Sequence, residues 1–374
     1  MTRFFAALLL LLLLPCFALA LDLSGYAFEM LGEYDFISSI APLAPDECAV
    51  IRCSTELSAA QYRLQHIHRG EVTFDLPLAG EGAYGYSALR LPDGRLCVIR
   101  SANSAEEGST WKQSYTLFPL EDGSLGKGKP FEGNPYDLRF CKGLFAGVCE
   151  AQNGQTELML YDGDTLAPVL RYGIAFENAF VQAITMSGGA HYLLIKQHGR
   201  PSLPDCIVLR IEDGEVSWAY HTTDEDFHYN NLHPDGDGGV ILSGSLVSDY
   251  KRYRLTHLSA EGKLFWSKTL ETKNAITHPS CARENGDGTA TLYGYCVAKS
   301  RSLYTIFAMT LNPQGEVLSL DVRDYGARED TGPQIMLTPE GEPVIYSFQL
   351  SGKPGVYLPL SALPQASDPG IRLR

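Results

Sequence analysis

Five short stretches of this chain carry side chains that could do chemistry if a fold brought them together. They read Glu33-Tyr34-Asp35, Tyr84-Gly85-Tyr86, Asn134-Pro135-Tyr136, Asp224-Glu225-Asp226-Phe227-His228-Tyr229 and Glu329-Asp330. Carboxylates set among aromatic rings suit a bound cation, an amine or a sugar stacked on a ring. The ligand-binding candidates chosen on this basis are Asp35, Tyr84, Tyr86, Tyr136, Asp226, His228, Tyr229 and Asp330. The competing reading is that loops are polar because they are exposed, with tyrosines packed at their bases.

Other patterns point away from chemistry. No nucleophile elbow, His-Glu-x-x-His helix, phosphate loop or complete calcium loop occurs, so no catalytic residue and no metal ligand is expected. Asp235-Gly-Asp237-Gly-Gly239 and Asn285-Gly-Asp287-Gly288 copy pieces of a calcium loop without its distal Glu, and read as hairpin turns. His66 and His68 alternate on one strand face, and His257 stands where Arg210 and Thr310 stand in matching stretches. All three read as strand-surface residues.

The elements that would position the five stretches follow from a repeat. Val208–Ile211, a turn ending at Gly214 and Glu215–Trp218 form an apolar strand, a polar turn and a second strand carrying Trp. Leu255–Leu258, Gly262 and Lys263–Trp266 repeat that design. Counting Gly25, the joint glycine recurs at positions 25, 70, 123, 163, 214, 262 and 315. A second set of turns falls between these, at Pro92-Asp93-Gly94, Ser187-Gly188-Gly189, Asp235–Gly239, Asn285–Gly288 and Pro339-Glu340-Gly341. Two hairpin turns per period mean about four strands per repeat. Spacings of about 40–50 residues are those of propeller blades.

The ends complete the argument. Gly25–Met30 looks like an outer strand without the three that should precede it. The C-terminal part offers Gln334–Leu337, Val344–Ser347 and Val356–Leu360 with no fourth strand. Exchanging a strand between the ends would close a ring and remove its exposed edges. The expected fold is therefore all-β, a seven-bladed β-propeller of four-stranded antiparallel blades, its last blade completed by the N-terminal strand. Little helix is expected, and the tail beyond Leu363, rich in Pro, Ser, Asp and Gly, is expected to be loose. In such a ring the loops entering each innermost strand gather at one mouth of the central channel, which is what would bring the five stretches together.

Arg3, the apolar run Phe4–Leu14 and Ala18-Leu19-Ala20 read as a signal peptide over residues 1–20, too short to span a bilayer. Residues 21–374 then form a single exported propeller domain. Pro15 before Cys16 argues against a lipid anchor, and no later apolar run is long enough to span. The formal charge of −14 becomes −15 once Arg3 is removed, which speaks against nucleic acid as a partner. Eight cysteines follow the signal, with no Cys-x-x-Cys. Several lie in apolar strands and read as buried thiols, while Cys141 and Cys149 are the pair nearest a disulfide by proximity.

The two Trp-bearing units resemble the repeat of quinoprotein-type propellers, in which a Trp a few residues past the turn Gly docks one blade on the next. Elsewhere the Trp position holds Phe28, Phe74 and Leu318 or Ser319. The quinone-dependent enzymes of that family carry adjacent paired cysteines, which this sequence lacks, so no cofactor is expected. Ser104–Trp111 is similar to the Asp-box of sialidases, with Glu106 in place of its Asp, and falls between the second and third strands of its blade. The expected function is a non-catalytic, monomeric binding or scaffolding propeller for a protein, peptide or glycan outside the cytoplasm. The alternative is an extracytoplasmic hydrolase or quinoprotein-like enzyme with carboxylates at the channel mouth.

Overall fold

The computed structural model describes residues 26–28, 35–54, 60–78, 83–104, 112–150, 155–175, 179–197, 206–222, 227–246, 249, 252–273, 275–298, 303–327, 332–347 and 355–374. They form seven antiparallel sheets. After β1 (Ala27–Phe28), blade one comprises β2 (Asp35–Ala44), β3 (Glu47–Ser54), β4 (Gln61–His68) and β5 (Glu71–Leu78). Blade two holds β6 (Ala83–Arg90), β7 (Leu96–Ser104) and β8 (Lys112–Glu121), edged by β9 (Ser124–Leu125) and β10 (Lys129–Pro130). Blade three runs through β11 (Tyr136–Cys141), β12 (Leu144–Glu150), β13 (Thr156–Asp162) and β14 (Pro168–Ile174). Blade four is β15 (Ala179–Ser187), β16 (Ala190–Gln197), β17 (Cys206–Glu212) and β18 (Glu215–Thr222). Blade five is β19 (Phe227–Pro234), β20 (Val240–Leu246), β21 (Tyr253–Leu258) and β22 (Leu264–Glu271). Blade six is β23 (Ala275–Glu284), β24 (Ala290–Ala298), β25 (Leu303–Leu311) and β26 (Val317–Ala327). Blade seven has β27 (Gln334–Leu337), β28 (Pro343–Ser347) and β29 (Gly355–Pro359), and β1 pairs with β29 as its fourth strand. The fold and its closure are those expected.

The joint glycines at 70, 123, 163, 214, 262 and 315 sit at the turns that follow the third strands, and Gly25 lies outside the described residues. At Asp213-Gly214 both residues have positive φ, 50° and 77°, the backbone of a two-residue hairpin turn whose twist matches its strands. Apolar side chains collect in seven cores, one at each junction between blades. On β17, Val208 faces the junction with blade five and Leu209 the junction with blade four's other neighbour, blade three. Middle strands buried on both sides need continuous apolar runs, whereas outer β18 alternates between exposed and half-buried residues. At the seam, Phe28, Val344 and Tyr357 of blade seven pack with Ile37, Ile40 and Val50 of blade one, and the Tyr357 hydroxyl donates to Ala44 O at 2.8 Å.

The Trp residues dock neighbouring blades as the repeat implies. Trp218 Nε1 donates to Ala260 O at 2.8 Å, and Trp266 Nε1 to Pro313 O at 2.9 Å, each onto the corresponding turn of the next blade. Helix among the described residues is limited to turns such as the 3₁₀ segment Leu360–Ala362, and no helix there is long and apolar enough to cross a membrane.

Two expectations are corrected. The tail is not loose: Gln365 bridges Arg323 on β26, Ile371 is buried in the core between blades five and six, and β30 (Arg372–Leu373) pairs with the edge of β22. Backbone bonds of 2.6 and 2.9 Å join Thr269 and Arg374 in both directions. Its turn-forming residues supply the bends of a strap whose apolar residues are anchored. Cys141 and Cys149 are not bonded. Cys141 faces Leu144 at one end of the β11–β12 hairpin, Cys149 lies at the far end of β12, and all eight described cysteines are free.

Candidate binding faces

The first strands of the blades line the centre, with β2 beside β6, β11 beside β15, β15 beside β19, β19 beside β23 and β23 beside β27. The face where these strands begin is the entry face, and the opposite one, where they turn into the second strands, is the exit face. Of the sequence-selected residues, Asp226 and Asp330 lie outside the described residues, as do residues 105–111 of the box similar to sialidases. For Asp35, Tyr84 and Tyr136 only the backbone is described: Asp35 opens β2, Tyr136 opens β11, and Tyr84 lies inside β6. Their strands do bring them to the entry face.

The remaining three have described side chains. His228 on β19 is half-buried, and burial, followed by the nearby Lys196 charge, lowers its pKa. Tyr229 points into the core between blades four and five, its hydroxyl 3.0 Å from Thr256 Oγ1, which is 3.1 Å from Ser267 Oγ. Tyr86 lies within β6 rather than in a loop and packs against Tyr62, ring centroids 5.0 Å apart at 59°. These two line a crevice of about 280 Å³ between blades one and two, walled also by Gln61, Pro77, Leu78 and Ala83. At its rim Arg63 is paired with Asp75 at 2.9 Å. Further round this face a row of rings runs from Tyr253 through His278, Tyr295 and Tyr304 to Tyr325. Two of its hydroxyls find partners within the protein, Tyr253 Oη with His278 Nδ1 at 2.7 Å and Tyr325 Oη with Ser347 Oγ at 2.7 Å.

The exit face holds a polar chain that the sequence reading missed. His257 is not on the surface: it is buried on β21, with Nε2 2.5 Å from Asp235 Oδ2. Asp235 lies at the tight turn after β19, and its other oxygen accepts from the backbone N–H groups of Asp237 and Gly239, both at 2.8 Å. Ser187, at the end of β15, donates to Glu284 Oε1 at 2.6 Å, with Asp235 Oδ1 3.4 Å away, and Gly188 N–H donates to the same Glu284 oxygen at 3.1 Å. The chain therefore ties blades four, five and six together. Its order is not that of an acyl-transfer triad, because the serine hydroxyl faces carboxylates and the imidazole faces the aspartate. A hairpin-turn Asp followed by a third-strand His was the available signal.

The second exit-face feature is an open groove of about 520 Å³ spanning blades seven, one and two. Leu43, Ala44, Pro45 and Leu96 supply apolar surface, and Glu47, Glu340 and Glu342 supply acid. Arg90 donates to Leu43 O at 3.2 Å and approaches Glu340 at 3.7 Å, while His66 holds Glu47 at 2.6 Å. Among the described residues no group of His, Cys, Asp and Glu is placed to hold a metal ion.

No protein-family model matches the chain, and no curated sequence does. Its fold is similar to the WD40 domain of Toxoplasma gondii coronin, with a TM-score of 0.52 and 9% identity over 89% of this chain and 88% of that one. It is also similar to a chain in a mitotic checkpoint complex, with a TM-score of 0.51 and 10% identity over 90% of each. At such identities the likeness is one of fold: the chain is a seven-bladed propeller with a WD40 domain among its structural neighbours.

Proposed function

We propose that this protein is an exported, non-catalytic propeller that binds an extended segment of a partner protein in the exit-face groove. The observation that carries this reading is the groove itself, built from turns of three different blades, with an apolar floor and an acidic rim. That lining suits an apolar side chain flanked by lysine or arginine, since complementary charge orients the segment and burial of the apolar group holds it. Because the groove crosses two junctions, the docking that locks blades together also keeps it in shape. The Trp contacts support kinship with quinoprotein-type repeats, with the rigid ring retained and no cofactor used. Export rests on residues 1–20, and the mature chain is expected to begin at Leu21.

The test is capture of partners from the producing cell by the purified propeller. Glu340→Lys with Glu342→Lys should abolish the specific capture, while Glu215→Lys on the outer strand β18 should not. Capture that survives the groove reversal, or a basic synthetic peptide that binds both forms equally, would remove the groove from consideration. Mass spectrometry of the secreted chain tests the cleavage site separately.

A further inference from the structure

We infer that the entry-face crevice between blades one and two binds a small molecule carrying an anionic oxygen, a carboxylate in the first instance, on an apolar or aromatic body. This site lies on the opposite face from the groove and stands independently of it. Tyr86 is 4% exposed, and its hydroxyl, buried within the crevice wall, has no hydrogen-bond partner. Its cross-strand neighbour on β7 is Arg100, whose Nε is likewise buried and unpaired. Tyr86 and Val98 face the core shared with blade one, and Arg100, two residues beyond Val98, lies on that same side of the sheet.

Elsewhere several buried tyrosines bond within the chain. Tyr161 donates to Glu132 O at 2.5 Å and Tyr357 to Ala44 O at 2.8 Å, and Tyr229 and Tyr325 bond Thr256 and Ser347. Against that background two adjacent orphans, one on a residue that lines an open cavity and the other on its cross-strand partner, mark atoms that a ligand completes, because buried polar groups in native proteins are paired. Both orphans are donors. A guanidinium has no acceptor capacity, and burial raises the Tyr86 pKa, so the phenol keeps its proton at neutral pH. Their common partner is an oxygen with negative charge, and charge-assisted bonds of this kind are the strong ones. Arg63 at the rim is already engaged by Asp75, which leaves Arg100 as the cation for the ligand. Arg100 is steadied over the ring of Phe118, 5.2 Å from its centroid. Tyr62, Pro77 and Leu78 provide the apolar wall, and the cavity lies near the lower end of small-molecule sites, suiting a ligand of roughly ten heavy atoms.

Phenylacetate is the probe, with phenethylammonium as the cation of matching shape, titrated calorimetrically into the full chain. Saturable binding of phenylacetate is expected, weaker by roughly tenfold or more in Arg100→Gln and by several-fold in Tyr86→Phe. Tyr86→Phe keeps the ring and removes only the orphan hydroxyl, so it is expected to fold and, without ligand, to melt no lower than the parent. It therefore serves even if Arg100→Gln fails to fold. Absence of saturable phenylacetate binding, equal binding of phenethylammonium, or unchanged affinity in Tyr86→Phe would each overturn the assignment.

Discussion

The indole nitrogen of Trp218 donates to the carbonyl of Ala260 across 2.8 Å, joining the outer strand of blade four to the third turn of blade five. The ring then covers Gly262, where a Cβ would lie 2.7 Å from Trp218 Cδ2 with φ at +76°. Gly214 has nearly the same φ, +77°, and open space around it. Gly214→Ala should therefore cost only the left-handed backbone penalty, about 1 kcal/mol. Gly262→Ala adds overpacking against the indole and should cost about 2–4 kcal/mol. Urea midpoints of the two variants measure the difference, and equal losses would show that the Trp contact contributes nothing.

The Asp235–His257 pair is expected to dominate the stability of the exit face. Asp235→Ala strips two turn N–H groups of their acceptor and leaves a buried imidazole without its partner, a change of about 3–5 kcal/mol. Asp235→Asn keeps an acceptor for the turn and should cost clearly less. Thermal unfolding of both variants tests the ordering, and a larger loss in the Asn variant would contradict it.

Acid should weaken the fold before carboxylates titrate. Burial pushes His233 from 6.5 down to about 4, so the unfolded chain takes up the proton first as pH falls. The stability linked to this group is complete above about pH 6.5, is lost between there and about pH 4, and changes no further below, a span on the order of 3 kcal/mol. His191 and His278, lowered mainly by burial, act in the same direction. Asp162 and Asp287 are held low mainly by side-chain bonds from Thr165 and Thr289, so their contribution disappears only at more acid pH. Urea midpoints between about pH 7 and pH 4.5 should fall, and the slope should flatten in His233→Asn.

The strap gives a fourth test. Ile371 is buried against the core of blades five and six, so Ile371→Ala should destabilise by about 2–4 kcal/mol. A loose tail would make the substitution silent.

The thiols give a fifth. Burial raises Cys97 and Cys141 to about 11 and Cys281 and Cys296 to about 12, so little thiolate exists near neutral pH. Iodoacetamide should label the native chain slowly and all eight mature-domain cysteines once it is unfolded without reductant. Fewer labels on unfolding would reveal disulfides.

Much of the architecture was legible because each turn has a narrow chemical requirement. Asp213-Gly214 announces a hairpin by needing two residues tolerant of positive φ, and Phe28 could be placed in the last blade because its segment lacked three partners. His257 was misread because its register matches Arg210 and Thr310, whereas its burial is decided by Asp235, on a turn two strands inward. The strap escaped notice since composition describes the chain before it meets a surface, and the edge of β22 is remote in sequence. Cys141 and Cys149 are close in number but at opposite ends of a hairpin, a distance that strand register alone reveals. Tyr86 was named from its neighbours' chemistry, but an unpaired hydroxyl becomes visible only when every nearby acceptor has a position.

Among the described residues, the strand pairing that joins the two ends of the chain is Ala27 with Val356 and Phe28 with Gly355, beside the apolar contacts around Tyr357. A linear stack of repeats frays from its ends, each unit lost easing the loss of the next. A circle has no end to fray from, so disassembly must begin by creating one, and the pairing that joins the two ends of the chain is the natural place to do so. Parting it would still leave the strap clasping blades five, six and seven. That clasp exists only after those sectors have assembled, so it delays disassembly while leaving the speed of assembly unchanged.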